Sequence, residues 1–148
     1  MAVVGFHNLE ELFRRGASLD IKKGHAKEIT DIVEQKLYDL LLMGQKSAKY
    51  NGRDVIWKYD LPITKGLEET INEFKKLEQE IDVRDILERL ATYPPLLELE
   101  IELENSLPEI VGGLTLVLAR IMKKLDEENR AVTHELIERA KGVMDLTL

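Results

Sequence analysis

The segment His134-Glu-Leu-Ile-Glu138 is the first place where residue types and spacing suggest chemistry. In a zinc-protease helix of the form His-Glu-x-x-His, two histidines four residues apart share one helical face and hold the metal. Here Glu138 stands where the second histidine would be. The other histidines, His7 and His25, are far away in sequence, and no metal-ligand spacing links the three. The expectation is therefore no metal and no cofactor. Trp57, flanked by Arg53, Lys58 and Tyr59, could stack on a single-stranded nucleic acid base. The expected reading is instead a packing anchor beneath its loop, since tryptophan is mostly buried. Glu98, Glu100, Glu102 and Glu104 alternate with apolar residues; they read as a solvated acidic edge rather than a cation site. With no cysteine, thiolate chemistry is excluded, and no phosphate-cradling glycine loop or nucleophile elbow is present. Nothing points to an enzyme.

Charge narrows the partners. The chain of 148 residues carries a net charge of -7, which argues against a general nucleic-acid coat. The two halves differ, however. Residues 1–76 hold 13 Lys/Arg against 12 Asp/Glu, whereas residues 77–148 hold 8 against 16. Within residues 14–58 the count is 10 basic to 6 acidic. Only the first half is suited to face a polyanion. No secretory signal and no long apolar run is visible, so a cytoplasmic protein without a membrane contact is expected. The many charges and few Asn and Gln resemble the composition of proteins from hot environments.

The elements that would position these residues are helices. A short helix is expected from Asn8, as its cap, to about Arg15, with Gly16 as its stop. A long one follows from about His25 to Lys49, its apolar face carried by Ile29, Ile32, Val33, Leu37, Leu40 and Leu41, and Asn51-Gly52 ends it. At about 1.5 Å per residue this is a rod near 37 Å, a central strut. After a brief extended piece around Val55–Trp57, a third helix opens at Asp60 and Pro62 and runs through Leu67, Ile71, Phe74 and Leu77. The order then repeats. Asp82 caps a short helix closed by Pro94-Pro95; Ser106-Leu-Pro-Glu109 is a capping box that opens a long apolar helix to about Glu128; Thr133 caps the last. Leu97–Glu104 is a strand by its alternation and a helix by its Leu/Glu composition, and both readings stay open. Gly112-Gly113, costly inside a helix, marks a close crossing.

Short–long–short, twice, with a central helix near 25 residues, resembles the histone fold. The segment Asn51-Gly-Arg53-Asp-Val-Ile-Trp-Lys-Tyr-Asp60 is similar to the second loop of archaeal histones, where a Gly-Arg pair follows the long helix and an Asp seven residues after the Arg opens the last one. The resemblance implies a structural ion pair between Arg53 and Asp60. The second half departs from it: Asn129-Arg130-Ala-Val-Thr133 is shorter, and Ile137 stands where the clamping Asp would be, leaving Glu135 as the expected substitute. The implied fold is all-α: a tandem histone fold in one compact domain over 1–148, with a first unit at 1–77 and a degenerate second unit at 78–148, packed as an intramolecular pair. One such unit is too open to bury both sides of its long helix, which gives the pairing its physical reason.

Histone pairs hold DNA through phosphate contacts rather than base readout. Carried over by position, the resemblance implies Arg14, Arg15, Lys22, Lys23, Lys27, Lys49, Arg53 and Lys58 as DNA-contacting candidates, with Lys22-Lys23 foremost because the following helix N-terminus favours anions. The corresponding loops of the acidic half would repel phosphate. Weak, non-sequence-specific DNA binding through the first half is one expectation. The alternative is a protein-interaction module without DNA, its acidic half suited to a basic protein partner or to self-association.

Overall fold

The computed structural model describes residues 6–79 and 84–148, with side chains from Asn8 onward. It is mostly helical: α1 (Phe6–Ala17), α2 (Ala26–Tyr50), α3 (Lys65–Lys76), α4 (Arg84–Leu90), α5 (Ile101–Leu125) and α6 (His134–Thr147), with two-residue strands β1 (Val55–Ile56) and β2 (Glu98–Leu99). Short 3-10 turns at Lys23–His25 and Lys58–Asp60 lead out of the loops. The capping expected at Asp82 lies outside the described residues.

The two long helices have equal length, 25 residues each. Leu37 and Leu41 of α2 and Leu107, Ile110 and Leu114 of α5 enter one hydrophobic core that also takes Leu9 and Phe13 from α1 and Ile137 and Met144 from α6. Thus α5 is buried along most of its length, as its apolar sequence requires, while α2 keeps a polar face.

Boundaries differ from the sequence reading in instructive ways. Helix α1 starts before Asn8 and continues past Gly16, which packs within it; a Cβ on Gly16 would come within 2.3 Å of Leu116 Cδ1. The left-handed residue that ends the helix is Ser18, at φ 55°, with Leu19 N–H donating to Phe13 O in the wrap typical of a helix C-terminus. Asn51-Gly52 does stop α2: Gly52 sits at φ 73° and Arg53 N–H reaches back to Ala48 O. Asp60 lies in a 3-10 turn instead of opening α3, which begins at Lys65 with Thr64 as its cap.

The alternating Leu97–Glu104 segment divides. Only Glu98–Leu99 is extended, and α5 starts at Ile101, upstream of the expected capping box. Ser106 is therefore interior and buried, its hydroxyl donating to Glu102 O. Pro108 also falls inside the helix, leaving Glu104 O without its N–H, which an exposed Glu104 tolerates. Leu103, Leu107 and Ile110 all turn to the core at helical spacing; burial of that face favours helix over strand.

Gly112 and Gly113 do mark a close approach, and the element that approaches is α3. A Cβ on Gly112 would lie 2.3 Å from Phe74 Cζ, and one on Gly113 2.4 Å from Ile71 Cγ1. Two missing side chains let the third helix of the first half press onto the long helix of the second.

Two loop junctions tie the halves together. At one, β1 pairs in parallel with β2, Val55 opposite Glu98 and Ile56 opposite Leu99, and Glu100 N–H donates to Ile56 O. At the other, Asp20 bridges Ala131 in parallel: Asp20 N–H donates to Arg130 O at 2.7 Å and Val132 N–H to Asp20 O at 3.1 Å. Each junction joins the loop before one long helix to the loop after the other.

Candidate nucleic-acid interface

The two junctions divide the basic residues between them. Lys22 and Lys23 follow Asp20 after Ile21 and lead through the 3-10 turn into α2. Both are exposed, and among the described residues no acid reaches ion-pair distance of either. The N-cap residue of α2, His25, makes no side-chain capping hydrogen bond; the 3-10 turn ahead of it supplies a backbone one, with Ala26 N–H donating to Lys23 O. Arg130, which the sequence reading noted only as part of a degenerate loop, belongs to this junction. Its Nε lies 3.4 Å from Asp20 Oδ2, so the arginine pairs across to the first half, and the substitute clamp expected at Glu135 is not the one formed.

The other candidates at this end are engaged. Arg14 pairs with Glu11 at 2.7 Å and approaches Glu10 and Asp20. Arg15 donates to Leu77 O at 2.9 Å. Lys27 pairs with Asp31 at 2.7 Å along its own helix. Such exposed pairs are weak and can be exchanged for phosphate, but each acid lowers the local potential.

The second junction carries Lys49, Arg53 and Lys58. Lys49 is exposed and, among the described residues, has no ion-pair partner. Lys58 is 3.7 Å from Glu109. Arg53 forms the expected clamp: its two terminal nitrogens donate to Asp60 Oδ2 and Oδ1 at 2.5 and 2.7 Å. Asp60, almost fully buried, also accepts from Ser47 Oγ and from Trp57 N–H. Arg53 foremost, with the other two donors, holds the Asp60 carboxyl well below the usual carboxylate range. Such a carboxylate is structural. The Arg53 guanidinium also lies 3.8 Å over the Trp57 ring. Contrary to the packing-anchor expectation, Trp57 is 47% exposed, and Tyr50 and Tyr59, which flank it in sequence, are 91% and 87% exposed. The indole is covered from one side by arginine instead of being sunk in the core. Glu98 on β2 faces this same junction, opposite Val55.

Several charged contacts had no signal in the sequence because their partners are remote. Glu34, buried on α2, takes Arg89 and the Tyr93 hydroxyl, and Tyr93 packs its ring 4.6 Å from Tyr38. Burial and the nearby Glu34 push the Tyr93 phenol up. Lys36, also buried, reaches Asp145 on α6 at 3.0 Å and holds that carboxyl below its ordinary value. His134, dismissed as isolated, lies with Nδ1 2.7 Å from Glu28 Oε1; Glu28 foremost, with a contribution from Glu138, raises the imidazole pKa.

No described helix is long and apolar enough to cross a membrane.

Similarity to other proteins is close over the full length. A protein of Thermus thermophilus known from its crystal structure shares 41% identity, superposes with a TM-score of 0.95, and is covered over 99% of both chains. A protein of Aquifex aeolicus, known from a crystal structure at 1.9 Å, shares 31% identity with a TM-score of 0.82 over 99% of this chain and 97% of the other. A curated protein of Aquifex aeolicus (strain VF5), named "Uncharacterized protein", is 34% identical over 143 residues, 95% of this chain and 82% of the relative. The family match runs from residue 9 to residue 145, and the chain belongs to the family described as Domain of unknown function (DUF1931).

Proposed function

We propose that the chain is a tandem histone fold, with first and second units divided near residue 77, that contacts DNA weakly and without sequence preference at one of its two junctions. The observation that carries the fold reading is the reciprocal pairing of loops: β1 with β2, and Asp20 with Ala131. Each pairs the loop before one long helix with the loop after the other, as two interlocked short–long–short units require. The Arg53–Asp60 clamp adds to it. The DNA reading rests on Lys22 and Lys23, exposed and unmatched by acids among the described residues, at the 3-10 turn that leads into α2. Arg14, Arg15, Lys27, Arg53 and Lys58 are already engaged by the protein's own oxygens, which argues for weak binding.

A labelled duplex titrated at about 50 mM salt tests this, because phosphate contacts weaken steeply as salt rises. Binding is expected at that salt, with a marked fall by about 200 mM, and the Lys22→Glu/Lys23→Glu variant is expected to abolish it. No binding by the unaltered chain at the lower salt removes the DNA reading. The second reading, a protein-interaction module, is favoured by the 16 acidic residues of 77–148 against 8 basic ones. Such a surface suits a basic protein partner.

A further inference from the structure

The start of α3, the end of α6 and the C-terminal half of α5 border a groove of about 450 Å³. Helical spacing sets its floor. Val117, Ile121 and Leu125 recur every four residues on α5 and so form one stripe. All three are only partly buried, packing on the core while also lining the groove. Leu67 from α3 and Val143 from α6 complete the apolar surface.

One side of the groove is positive. Arg120 and Lys124 stand beside Ile121 and Leu125 on α5, and Lys123 lines the adjoining depression with Gly16. Arg120 makes one long contact, 3.5 Å to Gly16 O, and no ion pair among the described residues. Glu69 and Glu73 border it on the α3 side, but both are engaged along their own helix, with Lys65 at 3.4 Å and Lys76 at 3.3 Å. Lys124 has only an exposed contact with Glu127 at 3.7 Å. An apolar stripe thus ends beside a guanidinium that lacks an anion.

We propose that this groove binds a linear alkyl carboxylate, a free medium-chain fatty acid, with its chain along the Val117–Ile121–Leu125 stripe and its carboxylate on Arg120. The volume is that of a small-molecule site, which spans about 300–1,000 Å³. Each methylene laid on the stripe leaves water, and the planar guanidinium matches a carboxylate with two parallel hydrogen bonds. A cationic amphiphile of the same length would instead meet Arg120, Lys123 and Lys124. A stable protein interface buries about 800 Å² per partner, far more than three partly buried side chains offer. Gly66 keeps one side of the groove open: a Cβ there would meet nothing within 4 Å. A larger side chain at this position enters the groove without displacing the fold.

The test is calorimetric titration of the full chain with sodium decanoate below its micelle-forming concentration, with hexanoate and decylammonium as comparisons. One equivalent of decanoate is expected to bind, hexanoate about tenfold or more weakly, and decylammonium not at all. Arg120→Gln is expected to weaken decanoate binding by about tenfold, and Gly66→Leu to block it, with helix content by circular dichroism preserved. Absence of saturable one-to-one binding to the unaltered chain overturns the site, as does binding undiminished in both variants. Equal binding of decylammonium removes the carboxylate assignment and overturns the proposal. A dimer of the unaltered chain by light scattering, split by Gly66→Leu, would assign the groove to a second copy and overturn it too.

Discussion

The two junctions between the halves are built on one plan and held by different means. Each pairs backbone in parallel between a loop before one long helix and a loop after the other. At the β1–β2 junction, the Arg53–Asp60 clamp is backed by Ser47, Trp57 N–H and the indole face, and Ile56 is fully buried beneath it. At the Asp20–Ala131 junction there is one bridge, with exposed contacts from Arg130 and Arg14 to Asp20. The comparison teaches where a loop can tolerate variation. The long second loop is braced internally by a buried carboxylate; the short one, closing directly from α5 onto the Thr133 cap, is braced by its length and by the bridge to Asp20.

The largest effect is expected at the braced junction. Asp60→Ala leaves Arg53, Ser47 and a backbone N–H without their common acceptor and is expected to cost about 3–5 kcal/mol in urea unfolding, the range for breaking one side of a buried pair. The same carboxylate sets an acid limit. Its folded pKa is depressed, so its contribution is complete above the unfolded value of about 3.9 and is lost as pH falls from there toward the folded value. Stability of the unaltered chain should therefore fall below about pH 4, and Asp60→Asn should flatten that limb.

A smaller effect, equal at both ends, sharpens the contrast. Thr64 and Thr133 each accept the N–H three residues on, from Leu67 and Leu136. Thr64→Ala and Thr133→Ala should each cost about 1 kcal/mol by thermal or chemical unfolding. A large inequality would mean that one cap also holds its junction. The smallest effect belongs to the open junction. Asp20→Asn removes the exposed contacts with Arg130 and Arg14 but keeps both backbone bonds, and a loss of about 0.2–1 kcal/mol is expected. A loss as large as that of Asp60→Ala would erase the distinction between the two ends.

What could be read from the sequence was local and periodic. The apolar stripe of α2, the Asn51-Gly52 stop and the Thr133 cap each depend on neighbours within a few residues, and they occur where expected. The Arg53–Asp60 pair was visible because both residues lie in one loop. Errors came where tertiary packing chose between local options. Ser106-Leu-Pro-Glu109 carries a start signal, yet burial of Leu103 extends the helix upstream of it. Trp57 has a core residue's composition, yet Arg53 covers it at the surface. The candidate site was the least legible part. Lys22-Lys23 could be named, but the pairing of Arg130 with Asp20 and of His134 with Glu28 joins residues from opposite halves, which no spacing rule can supply.

The reciprocal junctions also govern how the chain behaves on dilution. Two separate short–long–short units would associate in a second-order step, and their pairing would fail at low concentration. Here the backbone link between α3 and α4 keeps the loops at an effective concentration on the order of millimolar, so mating is a first-order event within one molecule. The weakly held Asp20–Ala131 end can then open and reclose without the halves separating, because the other end and the shared core retain them. Of the two ends, the Asp20–Ala131 one is expected to exchange its backbone amide hydrogens first.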